Sequence, residues 1–235
     1  MHLANYGSTH QIYSQEGIQV APGRRAQLRS FLIRHSITDS NLRLLDLGCG
    51  DGTLLHVASE LGIQHAEGVD LSPELVEKAR ELGVAVTCQD VSAFLQQLPA
   101  ESFDAVSAFD LLEHLDHRQL LFVCQNVWRV LKKGGKFLIH VPNGASPYAG
   151  RILYGDITHE RAYTDQSMHQ LLRSVGFTSI QVEEDQPVPR GFISFLRLCI
   201  WKVLRLAAVF RLAVETGTFR NYHLTLNIFI VTVKT

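Results

Sequence analysis

Gly48, Gly50 and Gly52 alternate along a short segment that follows an apolar run containing Asp46. A turn of this composition allows positive φ angles and lets a ligand lie directly on the backbone, where a Cβ atom would block it. A helix that begins near Thr53 would add backbone N–H groups pointing at the same ligand. The pattern predicts a site for a nucleotide-type cofactor, with a purely structural glycine turn as the alternative.

The spacing G-x-G-x-G differs from the dinucleotide fingerprint G-x-G-x-x-G. An acid at Asp46 favours a positively charged ligand and disfavours a pyrophosphate. Residues 44–52, of sequence LLDLGCGDG, resemble the first motif of class I S-adenosylmethionine-dependent methyltransferases. The resemblance implies S-adenosylmethionine as the cofactor, and its contacts here would be Asp46, Gly48, Cys49, Gly50 and Gly52.

Two further acids follow short apolar segments. Asp70 lies about 20 residues after the glycine turn, where a carboxylate can accept both ribose hydroxyls. The alternative is that Asp70 is an acid near the start of a helix and binds no ligand. The family has an acid near the adenine amino group at the position of Asp90, although Asp90 could equally cap a short helix over 92–98, and the two roles are compatible. The resemblance adds Leu71 and Val91 to the cofactor contacts.

A fourth predicted strand, 103–109, runs into Asp110-Leu-Leu-Glu-His114. This segment resembles the family's post-strand segment, which lines the sulfonium and acceptor side of the pocket. Phe109 and Asp110 are therefore predicted cofactor contacts, and His114 is a predicted catalytic residue. His114 and His117 are three residues apart with no third ligand nearby in the sequence, so no metal is predicted.

Residues 143–163 are rich in polar and aromatic groups and follow the fifth predicted strand, so they are predicted to form an acceptor-binding loop. The segment 154–164 resembles a segment of bacterial O-methyltransferases of the ubiquinone pathway and of polysaccharide gene clusters. Methyl transfer from a sulfonium is an in-line displacement that depends on positioning. The predicted substrate contacts are Tyr148, Arg151, Tyr154 and Arg161.

His159 is the candidate general base, with Asp156 and His114 as its catalytic neighbours. A hydroxyl acceptor must lose a proton, and a positioned imidazole contributes roughly 10²- to 10⁴-fold to the rate. The alternative is that His159 only ties down the loop.

Five strands alternating with helices predict an α/β, doubly wound parallel sheet with the glycines and acids at the carboxyl ends of its strands. A helix over 24–35 is expected to pack ahead of the first strand. The basic residues and Gly134 after the predicted helix 118–131 indicate a helix end. By the family resemblance, strands over 177–184 and 222–233 complete a Rossmann-like seven-stranded sheet whose last strand is antiparallel.

The segment 190–214 combines a wide apolar face with four cations that share the other half of a helical wheel. The charges recur too often for a transmembrane span. A cationic amphipathic helix could lie on an anionic membrane and serve a lipid-linked acceptor. A lid or dimer helix whose apolar face is buried in protein is the alternative. The four cations are Arg197, Lys202, Arg205 and Arg211.

The 235 residues fit one domain, 1–235, with an N-terminal cap at 1–40 and a helical insertion at 187–217. Because 22 Lys and Arg balance 23 Asp and Glu, charge does not favour nucleic acid as a partner. Four scattered cysteines and the lack of a signal-peptide pattern favour a reduced cytoplasm, with possible peripheral contact at the inner membrane face.

The sequence therefore predicts methyl transfer from S-adenosylmethionine to a hydroxyl of a sugar, glycan or lipid-linked acceptor, in a monomer or a homodimer. A quinone or another small aromatic is the second choice of acceptor. A nicotinamide-dependent oxidoreductase and a non-catalytic cofactor-binding protein are alternatives from other classes.

Overall fold

A computed structural model describes residues 22–219 and 222–235, apart from the side chain of Pro22. Residues 1–21 of the predicted N-terminal cap lie outside this part. A one-turn 3₁₀ helix, Leu112–His114, follows the fourth strand. The elements are α1 (Pro22–Arg34), β1 (Arg43–Leu47), α2 (Thr53–Glu60), β2 (His65–Asp70), α3 (Pro73–Glu81), β3 (Ala85–Cys88), α4 (Val91–Gln97), β4 (Phe103–Phe109), α5 (His117–Val130), β5 (Leu131–Pro142), α6 (Ala149–Leu153), α7 (Asp165–Ser174), β6 (Ser179–Glu184), α8 (Phe192–Thr216) and β7 (Asn227–Val233).

The strands form one seven-stranded sheet in the order β3-β2-β1-β4-β5-β7-β6. Neighbouring strands from β3 to β5 are parallel, whereas β7 runs antiparallel to both β5 and β6. This confirms the predicted fold class. The strand order reverses between β1 and β4, and ligands of such sheets bind at the carboxyl ends of the strands beside this point.

Alternate residues of the central strands face two separate hydrophobic clusters, as the two-residue period of a strand requires. Leu45 and Leu47 of β1 pack in the cluster with α4, α5 and α7. Leu44, which directly precedes Leu45 and is in register with Ala105 of β4, packs in the cluster with α1 and α2. Helices on both faces of the sheet therefore bury the strands, which explains the near-continuous apolar sequence of β1.

The helix caps agree with the sequence. Ser72 caps α3 by accepting a hydrogen bond from Leu75 N, and Pro73 takes the first helical position. Asp90 caps α4 by accepting from Ala93 N at 2.9 Å. These caps fix where α3 and α4 begin, and therefore how the loops after β2 and β3 end.

The prediction that α5 ends at a basic turn and a glycine cap is wrong. Leu131 is already extended, with φ −67° and ψ 137°, and it begins β5. Gly134 has φ 78°, and its N–H donates to Lys234 O at 2.7 Å, while Lys234 N donates to Gly135 O. The glycines thus pair with the chain just after β7, and this long-range contact outweighs the local capping signal. The last strand also begins later than predicted, at Asn227.

Most of the large apolar side chains of α8, which connects β6 to β7, lie on a face that points away from the rest of the chain. Only Ala213 of its 25 residues is buried, and large apolar side chains such as Phe192 and Leu206 are exposed. The inward half carries Arg205, which forms an ion pair with Glu184 at the end of β6. Burial of the apolar face within the described part of this chain is therefore ruled out. No helix in that part is long and apolar enough to cross a membrane.

Candidate functional site

The glycine turn after β1 has the backbone that its sequence predicts. Gly48, Gly50 and Gly52 have φ angles of 66°, 54° and 77°. Gly48 N and Cys49 N donate to Val69 O at 2.8 and 3.1 Å, which ties the turn to β2. Among the described residues, a Cβ atom added at Gly50 would meet nothing within 4 Å. The turn thus presents bare backbone to open space in front of α2, where a ligand can lie against it.

Asp70, at the end of β2, holds this turn in place. Its Oδ2 accepts from Gly50 N at 2.8 Å and its Oδ1 accepts from Ser72 N at 2.8 Å. Burial raises the pKa of Asp70, although these backbone donors work against the shift. Each carboxylate oxygen has a second lone pair, so the predicted contacts to ribose hydroxyls are compatible with the two backbone bonds.

Asp46 is buried beneath the turn, and Ser107 of β4 donates to its Oδ1 at 2.7 Å. Burial raises the pKa of Asp46 to about 7, and the charge of Asp70 adds to the effect. Burial and the negative charge of Asp46 also raise the pKa of the Cys49 thiol. A cationic ligand would favour the ionised form of Asp46, because an opposite charge nearby offsets the cost of burial.

The remaining predicted cofactor residues lie after β2, β3 and β4. Leu71 is 47% exposed directly after β2, and Val91 is buried at the start of α4. Asp90 uses Oδ1 for the cap of α4, which leaves Oδ2 for a ligand. An open glycine backbone, an acid at the end of β2, an exposed apolar side chain and a buried acid suited to a cation together fit S-adenosylmethionine.

Behind Asp110 lies a buried network that sequence reasoning missed. His140 Nδ1 lies 2.5 Å from Asp110 Oδ1, and His140 Nε2 lies 3.3 Å from Asp185 Oδ2. Burial disfavours a charge on His140, but the two carboxylates outweigh it and raise the pKa of His140. Burial alone would raise the pKa of Asp110. The charge and hydrogen bond of His140, together with Arg24 at 2.8 Å, outweigh burial and lower this pKa. The only signal in the sequence was a polar residue, His140, within an apolar strand.

The structure brings the three predicted catalytic residues together. The rings of His114 and His159 have centroids 4.8 Å apart. His114 Nδ1 lies 2.9 Å from Thr158 Oγ1, which donates to Asp156 Oδ1 at 2.7 Å. Asp156 thus acts on His114 through Thr158. Burial, and then the proximity of His159, lowers the pKa of His114.

Glu113 is a further residue that the sequence did not single out. It is 1% exposed, its Oε2 has no hydrogen-bond partner among the described residues, and burial followed by the charge of Asp110 raises its pKa. One ligand-type atom each of Glu113, His114 and His159 lies within 4.8 Å of the others. The prediction that no metal binds considered only His117 as a partner of His114. In the fold, the neighbours of His114 are instead Glu113 and His159.

The predicted substrate contacts in the loop 143–163 differ in how exposed their side chains are. Tyr148 and Tyr154 are 70% and 84% exposed. Arg151 is also exposed, on the short helix α6. Arg161 is half-buried, and its Nε has no hydrogen-bond partner among the described residues. The aromatic groups therefore lie at the rim of the loop, and Arg161 lies deeper.

Comparison with known proteins agrees with this geometry. A family model described as a methyltransferase domain matches residues 21–182. A ubiquinone biosynthesis O-methyltransferase from Xanthomonas oryzae pv. oryzae is 39% identical over 107 residues, 43% of this chain and 43% of that protein. Phosphoethanolamine N-methyltransferase 1 from Arabidopsis thaliana is 28% identical over 149 residues, 60% of this chain and 30% of that protein. The chain thus spans less than half the length of these relatives.

Solved structures share the fold. A SAM-dependent methyltransferase from Archaeoglobus fulgidus superimposes with a TM-score of 0.67 at 21% identity, over 89% of this chain and 94% of that one. Phosphoethanolamine N-methyltransferase 2 from Haemonchus contortus, in complex with S-adenosyl-L-methionine, gives a TM-score of 0.62 at 22% identity, over 89% of this chain and 52% of that one. At these identities the likeness concerns the fold alone.

Two glycine substitutions are expected to separate cofactor binding from folding. Gly50→Ala and Gly52→Ala both place a Cβ at positive φ, which costs about 1–2 kcal/mol each. At Gly52 the Cβ also meets Ala79 Cβ at 2.8 Å and Val84 Cγ2 at 2.9 Å, so overpacking adds about 1–3 kcal/mol. We expect Gly50→Ala to lose binding of S-adenosylhomocysteine with a small loss of stability, and Gly52→Ala to lose far more stability.

Calorimetric titration and thermal unfolding of both variants measure these effects, with NADH as the control ligand. Unchanged binding in Gly50→Ala would show that the cofactor does not lie on the turn.

Asp46 predicts a pH dependence of stability. The pKa of Asp46 is raised to about 7 in the folded protein, so its protonated form contributes to the free energy of unfolding. This contribution is fully present below the unfolded pKa, near 3.8, and is lost as the pH rises through about 7. Asp46→Asn keeps an acceptor for Ser107 and removes the titration. We expect the melting temperature of Asp46→Asn minus that of the wild type to increase between about pH 5 and about pH 8.5. A difference that is constant with pH would mean that Asp46 ionises freely.

Proposed function

The chain belongs to the class I S-adenosylmethionine-dependent methyltransferases, and from that premise we propose that it methylates a hydroxyl of a sugar, glycan or lipid-linked acceptor. The observation that carries the proposal is the close pair of His114 and His159, because removing a hydroxyl proton requires a base. A quinone or other small aromatic is the second candidate, favoured by the named activity of the ubiquinone-pathway relative.

S-adenosylmethionine, when bound, supplies an electrophilic methyl group on a sulfonium. In the proposed reaction the carboxylate of Asp46 complements positive charge on the cofactor from below the glycine turn. Asp70 keeps Gly50 in place through its backbone bond and orients the ribose. Asp46 and Asp70 are thus proposed to bind and position the cofactor. Positioning supplies much of the rate enhancement in a displacement of this type.

The hydrogen bond of the His159 ring supports its proposed role as general base. Its Nδ1 lies 3.0 Å from Ile152 O, and a carbonyl can only accept, so Nδ1 carries the proton in this contact. In the neutral ring Nε2 is then the acceptor, and we propose that it takes the hydroxyl proton. Thr158 Oγ1 donates to Asp156 and therefore accepts from His114 Nδ1, which fixes the orientation of the His114 ring. His114 and Asp156 are therefore proposed as neighbours that position the acceptor and the base.

The rim of loop 143–163 is proposed to contact the acceptor. Tyr148 and Tyr154 offer exposed rings, and Arg151 offers an exposed guanidinium group beside them on α6. Arg161, with an unpartnered buried Nε, is proposed to donate to an acceptor oxygen deeper in the loop. Tyrosine and arginine are enriched among the residues that contribute most to binding at interfaces.

The outward face of α8 supports peripheral contact with the inner membrane face, in a protein of the cytoplasm. Its apolar side chains are exposed, and the cations Arg197, Lys202 and Arg211 beside them are exposed too. The sequence has no acid from 192 to 214. Such a helix binds anionic bilayers by apolar insertion and by about 1 kcal/mol for each cation near the surface. A homodimer through this face would bring like charges together, so we propose the membrane as its partner.

Substitution of His159 tests the proposed chemistry. We expect His159→Ala to lower kcat by roughly 10²- to 10⁴-fold while the affinity for S-adenosylhomocysteine stays within about twofold. His117→Ala, at an exposed position at the start of α5, is the matched control and should retain full turnover. The measurement is methyl transfer from labelled cofactor to a panel of glycolipids and quinols.

Turnover of His159→Ala within a few-fold of the wild type would refute the proposal that His159 is the general base. Parallel assays with EDTA address the metal-type geometry of Glu113, His114 and His159. Loss of wild-type turnover in EDTA would make these histidines ligands rather than a base.

Vesicle flotation tests the membrane contact. We expect the wild type to float with phosphatidylglycerol vesicles and much less with phosphatidylcholine vesicles. The triple variant Leu196→Ser, Val203→Ser and Phe210→Ser removes apolar area from the outward face and should abolish flotation. A control variant with Ile33→Ser and Leu82→Ser, two exposed apolar positions off the helix, should float normally. Flotation that is unaffected by the triple variant, or a dimer in solution that the triple variant dissociates, would contradict the proposal.

A further inference from the structure

A cavity of about 790 Å³ lies beneath α8. Its walls come from α1, from the end of β6 with the segment 185–189 that follows, from α8, and from His223 and Phe229. Sites for small molecules are commonly clefts of roughly 300–1,000 Å³. The volume is therefore enough for a small organic group, and the acceptor loop 143–163 contributes no residue to this lining.

The same helix forms the roof of the cavity and the exposed apolar surface. Leu198 and Trp201 line the cavity from α8 and are half-buried. Leu206 also lines it but is 69% exposed, so the cavity rim is continuous with the outward face. An amphiphile could thus leave its apolar chain on the outward face and place its polar end inside.

The chemistry of the walls suits a neutral polyhydroxylated ring. The indole of Trp201 offers a flat apolar face, and such faces pack well against a group that carries polar tips. Asp185 Oδ1 is buried without a hydrogen-bond partner among the described residues, so it is an acceptor in need of a donor. Three cationic and three acidic side chains balance each other in the lining, which favours neither a phosphate nor an ammonium: Arg34, Lys202, Arg205, Glu183, Glu184 and Asp185.

The cavity shares a wall with the cofactor side of the sheet. Asp185 lies two hydrogen-bond contacts from Asp110, through His140 at 3.3 and 2.5 Å. Phe229 lines the cavity, and its ring centroid lies 4.5 Å from that of His140 and 5.7 Å from that of Phe109. A ligand in the cavity therefore lies next to the residues that end β4 and β5.

We propose that the cavity between α1, the end of β6 and α8 binds the sugar that adjoins the apolar chain of a glycolipid-type acceptor. The sugar packs on Trp201, and its hydroxyls donate to Asp185. The proposal rests on the proposed methyl transfer to a lipid-linked acceptor and adds a second contact region, for the part of the acceptor next to its apolar chain, apart from the rim of loop 143–163.

The chain has two tryptophans, Trp128 and Trp201, so Trp128→Phe leaves Trp201 as the only indole and as a reporter inside the cavity. In this background the probe is octyl β-D-glucoside below its micelle-forming concentration, with glucose and octyl sulfate for comparison. We expect a saturable change in Trp201 fluorescence with octyl glucoside, and an affinity about tenfold weaker for each of the other two.

Two variants locate the binding. Asp185→Asn should weaken octyl glucoside binding about tenfold, whereas substitution of an exposed acid outside the cavity lining, Asp39→Asn, should leave it unchanged. Val188→Trp fills the cavity from the segment after β6 and should abolish the binding that calorimetry detects. Binding of S-adenosylhomocysteine, measured on every variant, shows that each is folded.

Three results would overturn the proposal: no saturable fluorescence change, an equal response to octyl sulfate, or binding that survives Val188→Trp. If S-adenosylhomocysteine still binds in those cases, the cavity assignment fails and the proposed function stands. Loss of S-adenosylhomocysteine binding by the wild type would instead remove the proposed function itself.

Discussion

The carboxylate of Asp70 joins the parts of this molecule that must meet for a cofactor to bind. It accepts a hydrogen bond from Gly50 in the turn after β1 and another from Ser72 at the start of α3. Both donors are backbone groups that would otherwise be unpaired at the edge of the sheet. Two loops from neighbouring strands are thereby fixed by one side chain, and the open face of the glycine turn follows from that constraint.

Much of this could be predicted from the sequence, because the signals are local. A glycine at positive φ, an N-cap such as Ser72 and an acid at a strand end are each determined by a few neighbouring residues. The number of strands and the antiparallel last strand came from the family resemblance, whereas the order of the strands was not predicted. The local cap signal failed at Gly134, because pairing with Lys234, a hundred residues along the chain, determines the backbone there.

Other parts of the site depend on contacts that no local pattern encodes. His140 and Asp185 meet because β5 and β6 both end beside β7. Glu113 is in contact with the loop 143–163, where Glu160 N donates to Glu113 O. The orientation of α8 is a similar case. Its helical wheel does not show which face points to the protein, and the acid that pairs with the inward-facing Arg205, Glu184, lies on a different element.

The small buried area of α8 has an evolutionary consequence. Since Ala213 is its only buried residue, substitutions on its outward face cost little folding free energy and leave β1 to β4 undisturbed. Selection on that face can therefore act through where the protein resides and what it encounters, almost independently of the cofactor half. The connection between β6 and β7 is then a position at which related sequences can diverge while the glycine turn stays the same.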